Sequence, residues 1–125
     1  MILGIGIDLI EIERIERAAA KPSFLSSVFT QNEIAEFERR GRNFAILAGT
    51  FAGKEAVVKA LGTGFRGFRP NSVEILRDEL GKPKAVLYGT PKEIADNLGI
   101  QKWHITLTNT ADTAAAFVIA EKYDQ

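Results

Sequence analysis

The sequence contains no cysteine, which removes disulfides, thiolate metal sites and cysteine nucleophiles together and suits a reducing cytoplasm. It has a single histidine, His104, so any metal must be held by oxygen ligands or by that one imidazole. No stretch reaches the roughly 18 to 20 uninterrupted apolar residues of a membrane-spanning helix. The apolar start, Met1 to Ile7, has no basic segment ahead of it and meets Asp8 at once, unlike a signal peptide. A membrane is therefore not expected as a partner, and the chain is expected to begin near Met1. An excess of one charge is missing too: 16 basic residues balance 16 acidic ones, leaving no strong field to hold a polyphosphate backbone, so nucleic acid is not expected either. P-loop, dinucleotide-fingerprint and serine–histidine–carboxylate patterns are all absent.

What is present is the composition of a globular protein: 125 residues, 46% hydrophobic and 26% charged, expected to form one domain over residues 1–125. Ile2 to Leu9 alternate as a strand, with Leu3, Ile5, Ile7 and Leu9 on one side and Ile2, Gly4, Gly6 and Asp8 on the other. Two glycines leading to a carboxylate leave room for a ligand, or for a closely packed helix. Glu11 to Lys21 reads as a helix stopped by Pro22. Thr30 and Glu33 have capping-box spacing and open a short helix that ends near Gly41. Asn43 caps the longest helix, which runs to Leu61 and closes at Gly62. Strands follow at 73–77 and 84–88 as a hairpin, then a short helix from Thr90-Pro91 to Gly99, then strands at 103–108 and 114–121.

Three side chains stand out chemically. Glu55 and Lys59 lie one turn apart on the long helix, the spacing of an ordinary surface ion pair. The helix around them is apolar, however, and it runs straight into Gly62-Thr63-Gly64, a turn able to present backbone N–H groups to an anion. If Asp8, at the end of the first strand, approaches Glu55, the two carboxylates form the oxygen-ligand pair that magnesium favours beside phosphates. His104, next to Trp103 in a strand, is expected to be a packed or half-exposed side chain.

Gly4-Ile-Gly-Ile-Asp8-Leu-Ile-Glu11, Leu47-Ala-Gly-Thr-Phe-Ala-Gly-Lys-Glu55-Ala-Val-Val-Lys59-Ala-Leu-Gly-Thr-Gly64 and Val73-Glu-Ile-Leu-Arg-Asp-Glu-Leu-Gly-Lys-Pro83 occur in order, and with them the chain resembles the holo-acyl carrier protein synthases, the short-chain 4′-phosphopantetheinyl transferases. The resemblance implies an α+β fold with a long helix packed on an antiparallel sheet, and a homotrimer whose active sites lie between subunits. It implies transfer of the 4′-phosphopantetheine arm of coenzyme A to a serine of acyl carrier protein, with release of 3′,5′-ADP. By the same likeness Asp8 and Glu55 ligate Mg2+, and Lys59 contacts the phosphates. Gly62, Thr63, Gly64 and Asn109 face the nucleotide, and Arg14, Arg17 and Lys21 meet the acidic carrier protein. The serine proton could pass to Glu55 or to a metal-bound water.

The chain departs from the family pattern at several positions. Ser23 and Ser27 stand where arginines are common, Thr50 where arginine is usual, Val58 where serine is frequent, and Asn109 where histidine often follows the penultimate strand. The changes at 50, 58 and 109 read as tuning of coenzyme A contacts. Two other functions stay open: a non-catalytic module that binds coenzyme A or carrier protein, and a magnesium-dependent nucleotide pyrophosphohydrolase.

Overall fold

The structure, a computed structural model, describes residues 1–124. Strand β1 (Ile2–Glu11) leads into helices α1 (Ile12–Ala18), α2 (Pro22–Val28) and α3 (Gln31–Arg39), then the long α4 (Phe44–Leu61). A single 3-10 turn at Pro70–Ser72 precedes the hairpin of β2 (Val73–Arg77) and β3 (Pro83–Leu87). Helix α5 (Thr90–Leu98) and strands β4 (Lys102–Asn109) and β5 (Thr113–Glu121) complete the order. β1, β5 and β4 form one antiparallel sheet in that spatial order, and β2–β3 form a second, two-stranded one. This is the expected α+β arrangement, with α4 laid across the larger sheet.

Local chemistry sets the ends of α4. The Asn43 side chain accepts a hydrogen bond from Ala45 N at 2.9 Å, and Gly62 terminates the helix at a φ of 80° that favours glycine. Between them α4 is lined with small buried residues, among them Ala48, Ala52, Ala56 and Ala60. Pro22 does more than stop the preceding helix: it occupies the first turn of α2, where its missing N–H costs nothing.

The glycine face of β1 is filled by this helix, which decides between the two readings of that face. A Cβ on Gly6 would lie 1.8 Å from the Ala56 carbonyl oxygen, and one on Gly4 would lie 2.1 Å from that of Ala60. Glycine on the strand and alanine on the helix thus permit backbone-to-backbone approach. The apolar face of β1 consequently points outward. Ile5, Ile7 and Leu9 are exposed, Leu9 to 71%, and they continue onto β5, where Ile7 pairs with Phe117 and Ile5 with Ile119.

Helix α3 is fastened to β2 by buried carboxylates. One Glu33 oxygen accepts from Ile75 N at 2.7 Å, and one Glu36 oxygen accepts from Arg77 N at 3.0 Å. They occupy hydrogen-bonding positions along β2 that a further strand could have taken. The capping box at Thr30 and Glu33 forms as the sequence implied.

Because no space exists for a Cβ between β1 and α4, Gly6→Ala should destabilise the fold by about 3 kcal/mol or more, the upper end of overpacking effects. Urea denaturation measures this, and a loss below about 1 kcal/mol would contradict the packing described.

Candidate active site

Asp8 continues the Gly4–Gly6 face of β1, so it projects toward α4 at the point where Glu55 and Lys59 emerge. Lys59 Nζ donates to Asp8 Oδ1 at 3.3 Å and to the Ile7 carbonyl at 2.9 Å. The ammonium therefore bridges helix to strand, and the Glu55–Lys59 pair suggested by helical spacing is not the contact made. The Lys59 end of this bridge is more than half exposed, so the pair is worth little and is easily exchanged for another anion.

Asp8 and Glu55 open onto the same cavity of about 330 Å3, joined by Arg14 at one side and by an apolar wall that includes Ile15, Phe24 and Phe51. Burial, followed by the Asp8 charge, pushes the Glu55 carboxyl above its ordinary range, and Lys59 opposes the shift. A half-buried Glu55 carboxylate close to the Asp8 charge, with a single ammonium nearby, forms a place suited to a further cation. Among the described residues no group of three or more candidate ligands occurs, which disfavours a zinc cage. Two carboxylates do fit magnesium, which takes one or two from the protein and completes its shell with water and phosphate oxygens.

Gly62, Thr63 and Gly64 line a second, open recess together with Phe65 and Arg66. The N–H groups of Gly62 and Thr63 do not face it as donors, because both bond back to the Val58 carbonyl to close α4. A helix C-terminus carries partial negative charge, so attraction for an anion at this recess falls to side chains. Arg66, exposed on its rim, is the available cation. It was not among the expected residues, although a basic residue two positions beyond Gly-Thr-Gly was a signal in plain sight.

The remaining expected positions divide. Arg14 reaches the carboxylate cavity, whereas Arg17 on α1 and Lys21 between α1 and α2 are exposed beyond its lining. Asn109 ends β4 with its amide donating to the Thr110 carbonyl at 3.0 Å, and it lines neither cavity of the single chain. Thr50 and Val58 are buried. Thr50 accepts a hydrogen bond from Arg77 at 2.9 Å, so within the chain both positions serve core packing, a correction to their reading as coenzyme A contacts. His104 bonds Glu121 at 2.8 Å on the outer sheet face, half-exposed as expected.

Comparison with known proteins agrees with this geometry. The profile of the 4′-phosphopantetheinyl transferase superfamily matches residues 4–118. A holo-[acyl-carrier-protein] synthase of Lachnoclostridium phytofermentans is 41% identical over 125 residues, covering 97% of each chain. The crystal structure of holo-[acyl-carrier-protein] synthase from Neisseria meningitidis superposes with a TM-score of 0.87 at 37% identity, covering 98% of this chain and 100% of that one. The Helicobacter pylori synthase in complex with coenzyme A superposes with a TM-score of 0.81 at 30% identity, covering 94% and 99%. Fold and site thus define a phosphopantetheinyl transferase. Within that superfamily the chain belongs to the holo-[acyl-carrier-protein] synthase family.

The raised proton affinity of Glu55 gives a signed expectation. The folded chain holds that proton more tightly than the unfolded one, so the resulting stability is present at acid pH and lost as pH climbs from the ordinary 4.5 through the elevated value. In metal-free buffer, Glu55→Gln should raise the urea midpoint at about pH 7, and the gain should vanish below about pH 4. Equal midpoints at the higher pH would contradict the burial of Glu55 beside the Asp8 charge.

Proposed function

We propose that this chain moves the 4′-phosphopantetheine group of coenzyme A to a serine hydroxyl of apo-acyl carrier protein, releasing 3′,5′-ADP, in a magnesium-dependent reaction. The observation that carries this reading is that Asp8 and Glu55 open onto one cavity with Lys59 bonded to Asp8, in a chain matched along nearly its whole length to the synthase family. The same match supports residues 1–125 as a single transferase domain in a cytoplasmic enzyme.

Asp8 and Glu55 would hold Mg2+, which when bound neutralises charge developing on the transferring and departing phosphoryl oxygens. Lys59, already loosely paired at the cavity mouth, turns to the pyrophosphate and stabilises the same charge. Glu55, at the same cavity, or a water beside it receives the serine proton as the oxygen attacks the β-phosphorus. Gly62, Thr63 and Gly64, with Arg66, shape the recess for the nucleotide. Arg14, Arg17 and Lys21 present cations to an acidic carrier protein around α1.

A homotrimer accounts for the uncovered apolar face of β1 and β5, since a contiguous exposed patch of this kind marks an interaction surface. Assembly would also give Asn109 a route to a neighbouring subunit's site. In that arrangement Ile7→Asp should convert trimer to monomer in analytical ultracentrifugation, and a trimer that persists would remove this face from the interface.

Incubation with coenzyme A, Mg2+ and apo-acyl carrier protein, read by intact mass, tests the reaction itself. The carrier should gain the phosphopantetheine arm, and Asp8→Ala, Glu55→Ala or Lys59→Ala should each slow the gain by about 100-fold or more. Release of 3′,5′-ADP without carrier would indicate a hydrolase instead. Tight coenzyme A binding with no transfer would indicate a binding module.

A further inference from the structure

Lys54 immediately precedes Glu55 on α4, yet its side chain points the opposite way and is entirely buried. Its Nζ lies 2.6 Å from Glu33 Oε1, whose carboxylate is also buried. It donates to the Pro70 carbonyl at 3.1 Å and to the Val73 carbonyl. The Phe29 ring lies beneath the charge at 5.6 Å. Three donors thus meet three acceptors, as a buried ammonium requires. Burial works against both charges, and their mutual attraction works for them.

The acceptors on Pro70 and Val73 give this pair a consequence beyond core packing. The segment from Gly62 to Pro70 walls the recess lined by Gly62, Thr63, Gly64 and Arg66. Among the described residues, no N–H from Gly64 to Arg69 donates to a backbone carbonyl. Gly64 and Gly67 both have positive φ, and Phe65 stacks edge-on with Phe68 within the same segment. Its path is therefore set by the helix cap at Gly62, by Phe65 and Phe68 packed against the core, and by the Lys54 ammonium at Pro70.

We infer that Lys54 is a positioning residue for coenzyme A, its buried ammonium tethering the far end of the Gly62–Pro70 segment so that Arg66 and the glycine turn stay in place for the nucleotide. This rests on the reading of that recess as the coenzyme A site. The side chain touches no reacting atom; it acts through the segment. A change that loosens the segment weakens coenzyme A in the ground state and transition state alike, raising KM and leaving kcat.

The test compares the full-length enzyme with Glu33→Gln and with Glu33→Gln/Lys54→Met. The double variant keeps side-chain volume and removes both charges, so no lone ion is left buried. It should raise the KM for coenzyme A about tenfold or more, with kcat and the KM for carrier protein within about threefold. Hydrogen exchange at the amides of residues 64–69 should speed up in the same variant without ligand. Glu33→Gln leaves the Lys54 amine on its two carbonyls. It should lower the melting temperature while the coenzyme A KM stays within about twofold; a merely structural pair would move both readouts together. Should the double variant not accumulate in folded form, Lys54→Gln serves in its place, with the same split at smaller size. A folded variant with wild-type coenzyme A KM and wild-type exchange at 64–69 overturns the inference. A wild type that does not use coenzyme A overturns the functional reading, and the exchange measurement still judges the tether.

Discussion

The approach of β1 to α4 without intervening side chains is the constraint on which the site depends. Gly4 and Gly6 lie against the carbonyls of Ala60 and Ala56, and Asp8 is the next residue on that face. Only at this separation can a lysine on the helix reach both the strand backbone and the Asp8 carboxylate. The face given up to the helix by glycine leaves the bulky face of the strand to the outside. One feature thus accounts for both the chemistry at the cavity and the exposed apolar surface.

Two kinds of ion pair divide the labour within the molecule. Lys54–Glu33 and Arg77–Glu36 are buried, with their remaining hydrogen-bonding capacity met by backbone and side-chain partners. Breaking such a pair leaves an uncompensated charge, so these contacts are held permanently and fix α3, α4 and β2. Lys59–Asp8 is wet on the lysine side and weak. Its partners can exchange one another for a phosphate and a cation at little energetic cost. Rigid pairs behind the site and a labile pair at its mouth suit a binding site that must fill and empty.

Much of this was legible in the sequence where local chemistry dictates structure. Asn43 and Gly62 bounded α4, Thr30 and Glu33 announced the capping box, and the alternation of residues 73–77 and 84–88 announced the hairpin. Asp8, Glu55 and Lys59 were found through the motifs around them. Alternation in β1 could not say which face is covered, because hydrophobicity alone favours burying the isoleucines, and the decisive fact is the absence of side chains on the other face. Lys54 and Glu36 were passed over, and Glu33 was read only as half of a capping box, because charged residues on helices ordinarily face water. Thr50 and Val58 looked like ligand contacts until their burial was known. The helix over Pro22–Val28 was not anticipated, since its proline reads equally as a stop and as a first turn.

The central claim is that Asp8 and Glu55 share one divalent cation beside the Lys59 ammonium. Titration with Mn2+ in the presence of coenzyme A, followed by electron paramagnetic resonance, measures this directly. The account predicts one tightly held Mn2+ per chain, lost in Asp8→Asn/Glu55→Gln. Equal Mn2+ binding by that variant and by the wild type would contradict it.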